Sequence, residues 1–471
     1  MKQSGTYWYH SHSALQEQVG LYGPLIIEPR GGYPQRFDRD YVVFLSDWTD
    51  EEPHTVVSNL KFQSDYYNYD QRTLGTFRDD VNRQGLAGTV SDRMEWGRMR
   101  MSPTDILDVS GATYTYLING QPPAANWTAL FRPGERVRLR FVNGSAMSIF
   151  DVRIPELPMT IVTADGTDVQ PRTVDEFRIG TAETYDVIVE PRADRAFTIF
   201  VQAEDRTGFA RGTLAPRAGM TAPVPPLDPR PMRSMADMGM GAMGHGGMQG
   251  GASMPGMQHT IPAASGASGP MNHGAMAGMD HAMPGMNHGA AAAPAAAGHA
   301  GMAMSPLEGQ VGVDNVAMEP TSRLGEAGTG LDGNGRRVLR YTDLRALKPG
   351  EDPRPPSREI TLHLTGNMER FIWGMDGKKF SEAGPIQLSA GERVRFTLIN
   401  DTMMEHPMHL HGMFSELENQ HGAYRPYKHT ILVKPGEQLS FLVTAVPGRW
   451  AFHCHLLFHM ESGMFREVKV A

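Results

Sequence analysis

The chain has 471 residues, a length that suggests about three domains. Hydrophobic residues make up 40% of it and charged residues 20%, so most of the chain can bury a core. The net charge of −8 argues against nucleic acid or an anionic membrane surface as a partner. We expect no membrane span, since no long apolar run occurs, and residues 1–30 show no export-signal pattern.

The chain begins with a short pair of predicted strands. Residues 6–10 (TYWYH) and 21–28 (LYGPLIIE) have the aromatic and branched composition of strands around a loop. Two strands cannot form a stable β-sandwich by themselves. We therefore predict that residues 1–35 are the C-terminal remnant of a domain whose start lies upstream.

Two longer blocks of the sequence resemble each other. Residues 133–143 (PGERVRLRFVN) are repeated with few changes at 390–400 (AGERVRFTLIN), each as a turn followed by an alternating strand. Further along, both blocks contain another strand that ends in a Pro turn, at 185–191 (YDVIVEP) and 429–435 (HTILVKP). Short strands with Gly and Pro turns, repeated as a long unit, favour two β-sandwich domains of one type.

These repeats divide the rest of the chain into three parts. We expect one sandwich over residues 36–225 and a second over 336–471. Residues 47–103 fit the strand pattern poorly, which predicts a helical excursion within the first sandwich. Residues 226–335 are predicted to be a disordered insert between the sandwiches.

The insert is rich in methionine and histidine. Its central stretch, 232–304, holds 15 of the 31 Met and 6 of the 18 His, embedded mostly in Gly, Ala and Pro. It lacks the periodicity and the large branched residues needed to offset chain entropy. Because thioethers are soft ligands suited to Cu(I), the composition favours copper binding. A flexible linker with incidental Met is the open alternative.

Eight histidines outside the insert fall into three tight clusters. Alternate residues of a strand point to the same face, so each His-x-His pair presents two imidazoles side by side. Three such pairs from two different domains indicate a polynuclear metal centre. The clusters are His10 and His12; His406, His409 and His411; and His453, His455 and His459. His54, His363, His421 and His429 stand alone and are predicted to be surface or hydrogen-bonded residues.

The only cysteine, Cys454, lies between His453 and His455. On a strand its side chain points to the face opposite those two imidazoles, so its thiolate is expected to serve a second, separate metal. Cys454, His459 and Met464 form Cys-x4-His-x4-Met, and His406 adds a second imidazole. Two imidazoles, a thiolate and a weak thioether are the ligand set of a blue-copper electron-transfer site.

These clusters resemble those of the multicopper oxidases, and the resemblance covers essentially the whole chain. Within that family, the Met/His-rich insert makes the chain similar to the bacterial copper-resistance protein A group. Three short segments resemble the same group: SDWTD at 46–50, SDYYN at 64–68 and NDTMM at 400–404. The resemblance implies an all-β fold of tandem cupredoxin-like Greek-key domains that hold one mononuclear and one trinuclear copper centre.

The resemblance also implies a role for each clustered residue. The type 1 copper would be bound by His406, Cys454, His459 and axial Met464, and the type 2 copper by His409. The type 3 pair would be bound by His10, His12, His411, His453 and His455. Electrons would pass from Cys454 through His453 and His455, so that Cu(I) or phenolic substrates reduce O2 to water. The family resemblance further implies a periplasmic location.

The sequence departs from the family at one cluster and in its middle domain. The family carries a further His-x-His-Gly early in its first domain, and this sequence lacks that fourth cluster. Type 2 copper would keep one histidine and type 3 copper five of six, so we expect a truncated first domain and a compromised oxygen-reducing centre. The middle domain reads SIFDVR at 148–153 where the last domain has His406–His411, and is predicted to be copper-free.

Two alternatives to an oxidase stay open at this point. A periplasmic copper-binding or sequestering protein with little oxidase activity would rely on the insert and tolerate the missing ligands. A copper nitrite reductase also pairs a type 1 site with a cupredoxin fold. That family lacks the second His after the copper-binding Cys, so His455 and the pair His10 and His12 argue for O2 chemistry.

Overall fold

The computed structural model describes residues 3–240 and 305–471, and strands dominate both stretches. The first stretch contains β1 (Gly5–His10), β2 (Tyr22–Ile27), β3 (Arg39–Trp48), β4 (Thr115–Ile118), β5 (Trp127–Leu130), β6 (Val137–Asn143), β7 (Phe150–Arg153), β8 (Met159–Ala164), β9 (Thr167–Val174), β10 (Glu176–Ile179), β11 (Thr184–Val189), β12 (Phe197–Ala203) and β13 (Phe209–Ala215). The second contains β14 (Arg358–Asn367), β15 (Ile372–Met375), β16 (Ile386–Leu388), β17 (Arg393–Asn400), β18 (His406–Leu410), β19 (Ser415–Leu417), β20 (Tyr427–Lys428), β21 (Thr430–Val433), β22 (Gln438–Thr444), β23 (Gly448–Cys454) and β24 (Phe465–Val470). The all-β prediction is confirmed.

Most of these strands form two β-sandwiches with the same topology. The first pairs a sheet ordered β4-β3-β6-β11-β8-β9 with one ordered β10-β7-β12-β13-β5. The second pairs β15-β14-β17-β22-β19-β20 with β16-β24-β23-β18-β21. Position by position, the second sandwich repeats the first, down to the parallel pairs β3–β6 and β14–β17. Alternating apolar residues from both sheets fill the space between them.

The repeat at 133–143 and 390–400 marks equivalent strands, since β6 and β17 hold the same place in their sheets. The second proposed repeat is wrong. Residues 185–191 lie in β11, beside β6, whereas 429–435 contain β21, at the edge of the opposite sheet. The equivalent of β21 is β10, and that of β11 is β22. A strand followed by a Pro turn is too common a pattern to fix which sheet it joins.

The first two strands form a separate hairpin that packs on the first sandwich. β1 and β2 pair antiparallel, with Gly5 opposite Ile27 and His10 opposite Tyr22. Thr6 Oγ1 donates to Asp186 of β11 at 2.8 Å. The ring of Tyr7 lies so close to Gly166 that a Cβ there would be 2.5 Å from Tyr7 Cζ. This close approach fixes β1 against the sandwich, so that its last residue, His10, has a defined position.

The predicted helical excursion is present between β3 and β4. It consists of α1 (Pro53–Phe62) and α2 (Leu74–Met99), and α2 is kinked at Gly85, whose φ is 80°. A third short helix, α3 (Leu457–Glu461), follows β23. Among the described residues, no helix is long and apolar enough to cross a membrane.

The predicted disorder of residues 226–335 is wrong at both ends of that range. Residues 226–240 and 305–335 run along the sandwiches, with Met238 and Leu331 almost fully buried. Thr321 N donates to the carbonyl of Gly436 at 3.2 Å. A few buried apolar residues and such backbone contacts hold each end in the fold. The composition of these segments does not indicate this order. The rest of the predicted insert, 241–304, lies outside the described residues.

A buried cluster of charges joins the two sandwiches and the ends of the insert. Arg178 of β10 donates from Nε to Asp151 Oδ1 at 2.8 Å, and from Nη1 to Glu405 Oε1 at 2.9 Å and Glu204 Oε1 at 3.0 Å. Arg233 donates to the same Glu204 oxygen at 3.0 Å. Burial and the nearby Glu405 carboxylate raise the pKa of Glu204 to about 8. Glu405 directly precedes His406, so the cluster fixes the start of β18.

This cluster predicts a large stability loss when Arg178 is replaced. Arg178→Leu leaves Asp151 with Arg206 alone, and Glu204 and Glu405 with Arg233 alone, and breaking a buried ion pair by removing one partner costs about 3–5 kcal/mol. The matched control is Arg217→Leu, because Arg217 pairs with Asp194 at 2.8 Å in an exposed ion pair worth below about 1 kcal/mol. The measurement is denaturant unfolding of both variants. Equal losses would contradict a structural role for the cluster.

Candidate metal centres

Three buried donor side chains converge below the start of β18. His406 lies at the first residue of β18, Cys454 at the last residue of β23, and His459 in α3. Cys454 Sγ is 3.5 Å from His406 Nδ1 and 3.8 Å from His459 Nδ1, and the two Nδ1 atoms are 3.2 Å apart. All three side chains are fully buried. We call His406, Cys454 and His459 the thiolate cluster.

Each imidazole of the thiolate cluster is oriented by a partner on its other nitrogen. His406 Nε2 is 2.7 Å from Thr402 Oγ1, and His459 Nε2 is 2.7 Å from Asp108 Oδ2. Trp373 stacks on the His459 ring with centroids 3.8 Å apart. These contacts direct both Nδ1 atoms at Cys454, and an oriented second partner of this kind is usual for metal-ligating histidines.

The chemistry of the thiolate cluster suits a soft metal ion. Burial lowers the pKa of His406 well below its usual range, so its lone pair is free at neutral pH. Burial raises the pKa of the Cys454 thiol, so a metal must displace its proton. Met464 is also buried, and its carbonyl accepts from Cys454 N at 3.1 Å. Two imidazoles and a thiol fit copper.

The remaining clustered histidines meet on the opposite face of β18 and β23. His409 lies opposite His453 in the pairing of these strands. His12, His411 and His453 each offer a nitrogen within 4.8 Å of the others. His10 Nε2 and His455 Nε2 are 3.2 Å apart. All six line one region, which we call the histidine cluster: His10, His12, His409, His411, His453 and His455.

Buried acceptors and neighbouring imidazoles set the protonation state of the histidine cluster. The carboxylate of Glu17, in the turn after β1, lies 2.6 Å from His10 Nδ1, and the His429 carbonyl accepts from His409 Nδ1 at 2.7 Å. Burial and adjacent imidazoles lower the pKa of His12 and of His411 to about 4. These imidazoles are therefore neutral at physiological pH, which is the form that binds metals.

An open cavity of about 420 Å³ borders the histidine cluster. It is lined by five of its members, His10, His12, His409, His411 and His455, and also by His429. His429 is hydrogen-bonded, as predicted for an isolated histidine, but no sequence pattern indicates that it shares this cavity. The other three isolated histidines fit their prediction: His54 is exposed, and His363 and His421 are hydrogen-bonded.

Sequence reasoning missed two carboxylates at these centres. Asp108 follows α2 and reaches His459 from 351 positions away in the chain. Glu17 is close to His10 in sequence but sits in a loop whose shape no short motif specifies. Neither residue belongs to a recognisable spacing pattern. Only the fold brings them to the metal-ligating side chains.

Comparison with known proteins finds one family along the chain. Family models described as "Multicopper oxidase" match residues 1–32, 39–218 and 353–471. Copper resistance protein A of Escherichia coli is 56% identical over 100% of this chain and 78% of its own length. The protein of the same name from Pseudomonas syringae pv. tomato is also 56% identical, over 100% of this chain and 78% of its own length.

Solved structures with the same architecture are more distant in sequence. Fet3p, a multicopper oxidase that functions in iron import, is 16% identical with a TM-score of 0.60, over 100% of this chain and 72% of that one. The laccase from Botrytis aclada is 16% identical with a TM-score of 0.57, over 99% and 70%. These likenesses confirm the predicted cupredoxin-like fold class.

The raised pKa of Cys454 predicts pH-dependent copper uptake. The thiol keeps its proton until copper replaces it, while His406 is already neutral, so binding at the thiolate cluster releases one proton. The apparent affinity for Cu(II) should therefore rise about tenfold per pH unit between about pH 6 and pH 8. Competition with a chelator of known pH dependence measures it. An affinity that does not change with pH would contradict the protonated thiol.

Proposed function

Because the chain belongs to the multicopper oxidase family, we propose that it oxidises Cu(I) and phenolic substrates with O2 as electron acceptor, in a copper-resistance system. When bound, copper supplies one-electron oxidation of the reductant and four-electron reduction of O2 to water. The observation that carries the proposal is the position of Cys454. It belongs to the thiolate cluster, and its two chain neighbours belong to the histidine cluster.

We assign the ligands by cluster. The type 1 copper takes His406, Cys454, His459 and axial Met464, and the type 2 copper takes His409. The type 3 pair takes His10, His12, His411, His453 and His455. The assignment is supported by the convergence of His406, Cys454 and His459, and by that of His12, His411 and His453.

The shortest covalent path between the clusters runs through three consecutive residues. An electron that leaves the Cys454 sulfur reaches the imidazoles of His453 and His455 through one peptide unit in either direction. His453 is further tied to Cys454, since its Nδ1 lies 2.8 Å from the Cys454 carbonyl oxygen. A protein that only stores copper has no need of such a link, which favours the oxidase over a sequestering protein.

The protein groups around the thiolate cluster hold its geometry and exclude water. Asp108 fixes the ring of His459, and Thr402 fixes that of His406. The buried rings of Trp373 and Phe371 lie beside them and supply apolar surface. A rigid, dry ligand set changes little between oxidation states, which suits repeated one-electron transfer.

The substrate class rests on the insert and on the relatives. The methionines of 232–304 offer the soft thioethers that Cu(I) prefers. The most similar relatives named here are copper resistance proteins. We propose that the chain works in the periplasm, where thioethers resist the oxidising surroundings better than thiols.

Replacing Cys454 with serine tests the type 1 assignment. The copper-loaded protein should show an intense thiolate-to-copper charge-transfer band in visible light, and Cys454→Ser should abolish it, since a hydroxyl poorly replaces a soft thiolate. No other thiol exists in the chain to replace it. Bound copper should fall by one ion per chain while the histidine cluster keeps its metal. A band that survives the change would refute the assignment.

Altering residues 241–304 tests the role of the insert. A short Gly/Ser linker in their place leaves Arg233 and Met238 in the folded part of the chain. The charge-transfer band should persist, fewer Cu(I) or Ag(I) ions should bind, and Cu(I) oxidation should fall more than oxidation of a phenol. A variant of unchanged length, with the methionines of 241–304 replaced by serine, is the matched control and should behave alike. Equal Cu(I) binding in all three proteins would favour a plain linker.

A further inference from the structure

We propose that Met147, in the first sandwich, is a positioning residue for the type 1 copper. Its thioether sulfur holds the first turn of α3, the helix that carries His459. The inference rests on the proposed function, in which His459 is a type 1 ligand. Met147 and its partner Phe458 are 311 positions apart in the chain, a separation that no sequence motif bridges.

The start of α3 is held by residues outside the helix. Its N-cap residue is Leu456, whose side chain has no hydrogen-bonding group. The first backbone N–H groups of a helix find no carbonyl partner within it. In α3 two of these groups donate to the first sandwich. Leu457 N donates to the Ala146 carbonyl at 2.9 Å, and Phe458 N donates to Met147 Sδ at 3.3 Å.

The carboxylate of Asp47 fixes both acceptors in place. Asp47 lies in β3 and is almost fully buried. It accepts from Ala146 N and from Met147 N, both at 2.9 Å, and from Ser148 Oγ at 2.7 Å. The Met147 side chain is also almost fully buried. A thioether is a weak acceptor, but a buried N–H left without any partner is costly.

Backbone hydrogen bonds continue from this contact to three of the proposed type 1 ligands. His459 directly follows Phe458, and its carbonyl accepts from Met464 N at 3.0 Å. The Met464 carbonyl in turn accepts from Cys454 N at 3.1 Å. Asp108 restrains only the ring of His459. A shift at the start of α3 would therefore move the backbone of His459 and Met464 relative to Cys454.

The loop that carries Met147 has a counterpart in the second sandwich. Residues 144–149 join β6 to β7, and residues 401–405 join β17 to β18, which hold the same places in their sheets. In the second loop, Thr402 Oγ1 lies 2.7 Å from His406 Nε2. Each of these equivalent loops thus supports one imidazole ligand of the same copper, one through the ring and the other through the backbone.

Buried ion pairs between the sandwiches hold this arrangement together. Lys428 Nζ, in the second sandwich, lies 3.0 Å from Asp165 Oδ2 and 2.8 Å from Glu183 Oε1 in the first. Asp165 Oδ2 also accepts from the backbone N–H of His429 at 3.1 Å. Asp165, Glu183 and Lys428 are almost fully buried. Because these charges pair across the interface, Met147 is held against α3 before any metal binds.

The test compares the full chain with Met147→Leu, Met147→Gln and, as the matched control, Met159→Leu. Met159 is an equally buried methionine in β8. Leucine preserves the volume of methionine but removes the acceptor, whereas the glutamine oxygen can still accept from Phe458 N. In metal-free protein, hydrogen exchange over residues 457–461 should be faster in Met147→Leu than in the other three proteins.

Copper binding at the thiolate cluster is the second readout. We expect the Cu(II) affinity to fall about tenfold in Met147→Leu, the size of effect typical of losing a contact just outside a ligand set. The charge-transfer band should shift in the same variant. Met159→Leu should match the parent, and Met147→Gln should bind copper more tightly than Met147→Leu.

Several results would overturn the inference. An exchange rate, a copper affinity or a band that does not change in Met147→Leu would do so. Equal weakening in Met147→Leu and Met147→Gln would also do so, because the lost acceptor could not then be the cause. An effect of the same size in Met159→Leu would reduce the contact to general packing and overturn the inference too.

Oxygen consumption distinguishes this inference from the proposed function. If the parent shows the band and the Met147 effect but consumes no O2 with Cu(I) or a phenol, the proposed function fails and the inference stands. If the parent consumes O2 and Met147→Leu is unchanged, the inference fails and the proposed function stands. A parent without a charge-transfer band overturns both.

Discussion

The pairing of β18 with β23 is the constraint on which both metal centres depend. In that register His409 lies opposite His453 and Met408 opposite Cys454. Because side chains alternate between faces along a strand, His406 shares a face with Cys454, and His409 and His411 share the other with His453. A shift of one residue in the pairing register would move the imidazoles of one centre to the face of the other. Two chemically different sites are thus sorted by one set of backbone hydrogen bonds.

The first sandwich supports the centres without contributing an assigned ligand. Asp108 fixes the ring of His459, Asp165 anchors the backbone of His429, and Arg178 holds Glu405 beside His406. All three lie in or beside the first sandwich, and each acts on a segment of the second. β7, the equivalent of β18 in the first sandwich, has no histidines, but residues of that sandwich hold segments of the second in place.

The candidate metal-ligating residues could be predicted from their local spacing in the sequence. His-x-His and Cys-x4-His-x4-Met specify which side chains share a face, and that depends only on the strand period and a short helix. Asp108 and Glu17 could not be predicted this way. Long-range packing brings Asp108 to His459, and a loop whose shape no short motif specifies brings Glu17 to His10. The order at the two ends of the insert was not predicted for a related reason. A few contacts to the sandwiches, such as that of buried Met238, hold these segments, and they have no periodic pattern.

The ion pairs of Lys428 with Asp165 and Glu183 bear on how this architecture evolves. Lys428 belongs to the second sandwich and both carboxylates to the first, yet all three are sealed from water. Exchanging one sandwich for a homologue that lacks the matching charge would leave a buried charge without its partner. The two sandwiches share a strand order, but these buried ion pairs mean that they are not interchangeable.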